Sequence, residues 1–257
     1  CEILSEAQTP PFGIDDDNVN EMLRMKYRYL DLRSPRLQNH LMVRHKVAQL
    51  VRKHLSDNGF LEVETPILQP IPGGATARPF TTHHNALDVD FYLRVAPELY
   101  LKRLLIGGFE KIFEIGRNFR NEGIDRDHNP EFTMLELYWA YQNYKGLMKF
   151  VEGLLKPFIK GKIKTVTFSS LIKDWKKTKP EMLDEVFRKE VRSKIIEPTF
   201  VIDYPEIVMP LAKLKPENPE LTECFQLIVN GSEIVKGFSE LNDPIVQRAQ
   251  MERQEKE

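Results

Sequence analysis

The chain has 257 residues, 41% of them hydrophobic and 29% charged, which suits a globular domain with a substantial core and excludes a disordered or fibrous chain. A formal charge of −1 excludes an overall basic field for non-specific nucleic-acid binding, though not local basic patches. Two cysteines, Cys1 and Cys224, offer no disulfide framework and no metal spacing, and no apolar run approaches a membrane span; a cytoplasmic protein without a membrane partner is expected. One large domain is expected rather than two. Residues 1–33 lack a clean period, and their acid run Asp15, Asp16 and Asp17 reads as a solvated loop, so this segment is a connector entering a domain. A helix follows, with Ser34 as cap, Pro35 in its first turn, an apolar stripe of Leu37, Leu41, Ala48, Val51 and Leu55, and Asn58-Gly59 as its stop. His40, His45 and His54 on that helix have no convergent partners and read as surface residues.

Residues 60–65 alternate as a strand halted by Pro66, which marks an edge or an interface because proline cannot donate to the ladder. Gly73 and Gly74 sit in a loop where the backbone can approach a ligand closely, unless the loop is a plain turn. His83 and His84 are adjacent on a strand, point to opposite sides, and make a poor chelating pair. Residues 90–96 read as a strand, and Pro97 opens a helix closed by Gly107-Gly108. Glu98 in the first turn of that helix complements the dipole or faces a cleft.

Residues 111–141 organise the chain as strand, turn-rich loop and strand. On the second strand Phe132, Met134, Glu136 and Tyr138 share one face, opposite Thr133, Leu135, Leu137, Trp139 and Tyr141. Arg120 and Glu122 end the first strand and His128 closes the loop. An arginine at the neck, an aromatic at the return and a carboxylate deeper in suit a polyanion held beside a cation; the pattern equally suits a surface hairpin with ordinary salt bridges. Beyond it, residues 145–159 form an amphipathic helix, residues 182–195 a charged peripheral helix, and residues 199–202 and 225–229 strands. Glu233 and Glu240 have opposite parity, and a bulge at Gly237 is expected to bring them to one side. The helix after Pro244 runs to residue 257 without a C-cap, so the end reads as a cut.

RNFRNEG and HNPEFTMLELY, with GGATARPF, APELYLKRL and GFSELND, together resemble the class II lysyl-tRNA synthetases over residues 29–250, with a divergent, peripheral patch at 159–192. The aspartyl enzymes match less well. The resemblance implies an α+β fold, an antiparallel sheet flanked by helices and incomplete at the C-terminus. It makes residues 1–33 the connector after an absent anticodon-binding OB domain, and residues 34–257 a truncated catalytic domain. It further implies ATP and Mg2+ as cofactors, L-lysine and tRNA-Lys as substrates, and a homodimer whose interface uses the helix and the strand ending at Pro66.

By the same resemblance, Arg120 holds the α-phosphate, Glu122 and His128 contact ATP, and adenine stacks on Phe132. Gly74 and Glu98 receive the substrate α-amino group. Glu136, Tyr138 and Glu240 surround the ε-ammonium, which offers three donors and needs paired charge. Glu233 is the magnesium ligand. Three departures stand out: Gln226 replaces a second acidic metal ligand, Lys236 replaces an asparagine, and the glycine-rich third motif is absent. The last predicts that this piece alone activates lysine poorly. Two rival readings are a lysyltransferase acting on elongation factor P and a non-catalytic paralogue serving as a binding module.

Overall fold

Capping side chains start the first helices. The Asn20 carboxamide accepts from the Met22 amide at the head of α1 (Glu21–Lys26), and α2 (Arg28–Asp31) follows, with Asp31 buried and paired to Arg28. Ser34 caps α3 (Pro35–Asp57) by accepting from the Leu37 amide, and Asn58 with Gly59, at φ 81°, ends it. This computed structural model describes every residue except Cys1, Asp17, Arg126, Asp127 and Glu257, and no side-chain surroundings for Pro180, Glu181 and 254–256. The third member of the acid run and two residues of the hairpin loop therefore lie outside the described residues. Only Leu37 and Leu55 of α3 are buried, and Leu41, expected on its inward stripe, is 56% exposed.

The chain divides into two compact units. The first joins Cys1–Leu101 to Ile112–Glu136, and the second joins Lys102–Lys111 to Leu137–Glu257. In the first unit come β1 (Leu61–Glu62), β2 (Leu68–Gln69), β3 (Thr81–His84) and β4 (Val89–Leu93). Then follow α4 (Glu98–Ile106), β5 (Lys111–Phe119) and β6 (Glu131–Trp139), in which α4 and β6 run on into the second unit. One sheet has the order β1-β5-β6, with β1 parallel to β5; the other has the order β2-β4-β3 and is antiparallel.

Arg94, only 1% exposed, knits this unit together. Its guanidinium donates to the Arg117 carbonyl at 2.8 Å, to the Thr65 hydroxyl at 2.9 Å and to the buried Glu114 carboxylate, which also accepts from Thr65 at 2.7 Å. A methyl group on Gly116 would collide with that guanidinium, so the strand needs glycine there for room rather than for φ.

The second unit contains α5 (Tyr144–Leu155), β7 (Lys164–Thr167), α6 (Phe168–Leu171), α7 (Pro180–Val186) and β8 (Thr199–Ile202). After these come β9 (Leu214–Lys215), β10 (Asn218–Thr222), β11 (Cys224–Val229), β12 (Ser232–Phe238) and α8 (Pro244–Lys256). Its main sheet runs β12-β11-β8-β7, antiparallel except for the parallel pair β7–β8. Side chains alternate, so Phe200, Phe225 and Leu227 pack with Tyr144 and Val151 of α5. Val201, Cys224 and Ile228 pack instead with Phe168, Leu183 and Phe187.

The helix expected at the periphery therefore supplies core: Leu183 and Phe187 are each 1% exposed, whereas Met182 is 48% exposed. Leu183 and Phe187 stand four residues apart on one face of α7 and its C-terminal end, and a π-helical turn over Phe187–Val191 follows. The bulge is also displaced from its expected place. Register shifts where Leu227 pairs Val235 and Ile228 pairs Glu233, which leaves Ile234 as the extra residue. Gly237 has another purpose, because an added Cβ would lie 2.7 Å from the Phe225 ring.

Candidate active site

In the first unit the neck of the central hairpin is closed by the Arg120 amide donating to the Pro130 carbonyl at 2.8 Å. This fixes Arg120 beyond the end of β5 and Phe132 near the start of β6, with the guanidinium 5.2 Å from the ring centroid. Arg120 Nε is buried with no hydrogen-bond partner among the described residues. A buried donor of that kind costs about 1–3 kcal/mol unless something accepts from it. Its planar fork suits phosphate oxygens. Glu122 is exposed two residues on, where its amide donates to the Arg120 carbonyl at 2.9 Å in a tight turn. His128 is also exposed. Its ring Nδ1 and its amide both lie 2.8 Å from the Asp125 carboxylate, so the sequence's loop-closing histidine is held by an acid three residues earlier.

Gly74 and Glu98 are brought together. Gly74 has φ +89°, and a Cβ built there would lie 3.0 Å from Glu98 Cβ and 3.3 Å from Ala96 Cβ. The paired glycines thus serve a close backbone approach to the start of α4, with Glu98 half-buried where the two meet. Glu136 is half-buried on β6 and closes the first unit.

Tyr138, Glu233 and Glu240 belong to the second unit. Glu240 follows β12, bridges backbone to Ala212, and its carboxylate takes the Lys102 ammonium at 3.1 Å. Lys102 was not singled out from the sequence, although it stands four residues after Glu98, a spacing that marks paired charges on a helix. The bulge at Ile234 shifts parity, so Glu233 shares a sheet face with Gln226 and Lys236. Gln226 is buried, and its carbonyl oxygen accepts from the Tyr204 hydroxyl at 2.9 Å. Burial, then the Cys224 and Glu233 charges, push the Tyr204 hydroxyl far above the ordinary phenol range, which keeps it a donor. Lys236 and Glu233 are exposed.

Among the described residues no three His, Cys, Asp or Glu side chains converge on a metal position. A lone exposed carboxylate fits magnesium only in the form in which nucleotide phosphates supply much of the coordination and water the rest.

Residues 20–257 match the family model described as tRNA synthetases class II (D, K and N). The chain belongs to that family. It is 44% identical to the lysine–tRNA ligase of Carboxydothermus hydrogenoformans, over 90% of this chain and 57% of that protein. It is 45% identical to the lysine–tRNA ligase of Pelotomaculum thermopropionicum over 90% of this chain and 55% of that protein. With the lysine–tRNA ligase of Magnetococcus marinus it shares 41% identity over 98% of this chain and 60% of that protein. The chain thus spans little more than half the length of these relatives.

Proposed function

We propose that the protein containing this chain is a lysine–tRNA ligase. In this reading the lysine carboxylate attacks the α-phosphorus of ATP, the bond to the β-phosphate bridging oxygen breaks, and pyrophosphate leaves. A terminal ribose hydroxyl of tRNA-Lys then attacks the lysyl carbonyl, loses its proton, and AMP departs. No protein nucleophile is required, so the work is positioning and charge neutralisation. The observation that carries the reading is the Arg120–Phe132 pair, a buried arginine donor without a partner beside an aromatic face at the hairpin neck. Arg120 would hold the α-phosphate and Phe132 the adenine, with Glu122 and His128 contacting ATP.

Gly74 and Glu98 would receive the α-ammonium, and Glu136, Tyr138 and Glu240 the ε-ammonium. The Glu240 carboxylate already accepts an ammonium of the same chemistry from Lys102, which supports that assignment. Glu233 would hold magnesium, which when bound supplies charge neutralisation at the ATP phosphates. A homodimer in the cytoplasm completes the proposal, supported by the exposed Leu41, Met42 and Val43 on α3 and Leu61 on β1.

Titration calorimetry of the 257-residue chain with lysine and ATP tests the reading. Lysine should give saturable heat, ornithine at least about tenfold weaker binding, and Glu240→Gln a loss of lysine binding with ATP binding retained. Arg120→Ala should lower ATP affinity alone. Absence of lysine-specific heat would overturn the reading in favour of a binding module without catalysis. The Gln226 amide, engaged by Tyr204 where a second metal-binding acid was expected, is the observation that favours this alternative.

A further inference from the structure

Charge is distributed unevenly along the second unit. Residues 145–179 carry ten lysines, no arginine and two acidic residues, a net charge of +8 in a chain whose total is −1. All ten lysines are exposed. Lys164, Lys176 and Lys177 are neutralised by Glu197, Glu220 and Asp174. Lys145 and Lys149 on α5 and Lys162 before β7 instead converge on one groove of about 250 Å³, in which Glu152 is the sole acid among the described residues and Ile163 and Phe200 contribute apolar lining.

This arrangement works against the helix that bears it. Lysines four residues apart repel, and Lys145 stands in the first turn of α5, where the dipole favours an anion and no acid is present. Both effects disfavour the helix, and an anionic partner would reverse them in sign.

We propose that the groove between α5 and β7 is a docking surface for the phosphodiester backbone of RNA, with Lys145, Lys149 and Lys162 as its phosphate-binding cations. At about 250 Å³ the groove is smaller than a typical small-molecule pocket of roughly 300–1,000 Å³, so it suits an extended strand laid across it. Ammonium groups on flexible stems meet phosphates as point charges without reading bases, so the surface positions RNA and does not select sequence. A membrane surface fits less well. The apolar face of α5, with Val151 and Leu154, is buried in the unit's own core and is not available to lipid. The inference rests on membership of a tRNA synthetase family and on this groove, and stands apart from the lysine-activation reading.

The test is binding of a short fluorescein-labelled single-stranded RNA to the 257-residue chain across a potassium chloride series. Replacing Lys145, Lys149 and Lys162 by glutamine together should reduce the slope of log affinity against log salt by about 2–3, at about 0.7–0.9 for each phosphate no longer neutralised. Affinity at low salt should fall about tenfold or more. A charge-matched triple at the exposed Lys46, Lys53 and Lys194 should change affinity by less than about twofold. Single glutamine variants, each lowering the slope by about 1, stand in if the triple does not fold. Equal losses in the two triples, an unchanged slope, or binding to phosphatidylserine vesicles in place of RNA would overturn the proposal. Lysine calorimetry on the groove triple should match the parent chain, which separates failure here from failure of the proposed activity.

Discussion

Arg94 shows how much of the first unit depends on one buried charge. Its guanidinium ties the end of β4 to β5 and to Thr65, and its carboxylate partner Glu114 is 3% exposed. Replacing Arg94 by methionine leaves Glu114 buried without its cation, so urea denaturation should show a loss of about 3–5 kcal/mol. Pairing that change with Glu114→Leu should recover much of it, because removing both charges removes the desolvation cost as well. None of this was legible beforehand: Arg94 lies in an unremarkable stretch of alternating strand, and nothing in its neighbours announces the Glu114 carboxylate twenty residues away. Arg120 was legible, since the residues around it carry their own punctuation. What the sequence did not show is that its Nε is enclosed and without a partner among the described residues.

Strand β11 supplies both faces of the second unit's core, and its Cys224 is fully buried against Thr222 and Tyr204. Burial raises the thiol pKa above its ordinary value, with smaller opposing contributions from Thr222 and the Tyr204 backbone. A pKa raised on folding contributes stability that is fully present below the unfolded value of about 8.5 and is lost as pH rises through the folded value. The urea midpoint should therefore fall with increasing pH above about 8.5, and Cys224→Ala should flatten that fall. The Lys215 ammonium adds a later loss. Burial alone would lower its pKa, but Asp203 and Tyr144 outweigh burial and raise it, so its contribution disappears only above about 10.4.

Elements closed by local chemistry were readable from sequence: α3 with Ser34 and Gly59 at its ends, α5 with its apolar face, and β8 and β11 as apolar runs. Elements whose period changes midway were not. The segment 182–195, read as peripheral from its charges, buries Leu183 and Phe187, and a π turn over Phe187–Val191 interrupts its period. The bulge at Ile234 is set by register against Leu227 and Ile228, information that β12 alone does not contain.

For the whole molecule, Leu41, Met42 and Val43 form a run of exposed apolar side chains on α3. A second copy of the chain is the proposed cover. Sedimentation velocity should show a concentration-dependent dimer, and Leu41→Glu should shift it to monomer. Because Leu41 is 56% exposed within the chain, the same substitution should change the stability of the monomer by no more than about 0.5 kcal/mol. A monomer at all concentrations, for both proteins, would remove the dimer from the proposal.

The division into two units has a practical corollary in optics. Both tryptophans of the chain, Trp139 and Trp175, fall in the second unit, where the Trp139 indole sits 4.7 Å from the Lys111 ammonium and edge-on to Phe150. Intrinsic emission excited at the indole band is therefore blind to melting of the first unit, whereas far-ultraviolet dichroism registers the helices of both. Coincident curves from the two signals would mean the halves melt as one cooperative body, and separated curves would date the loss of each in turn.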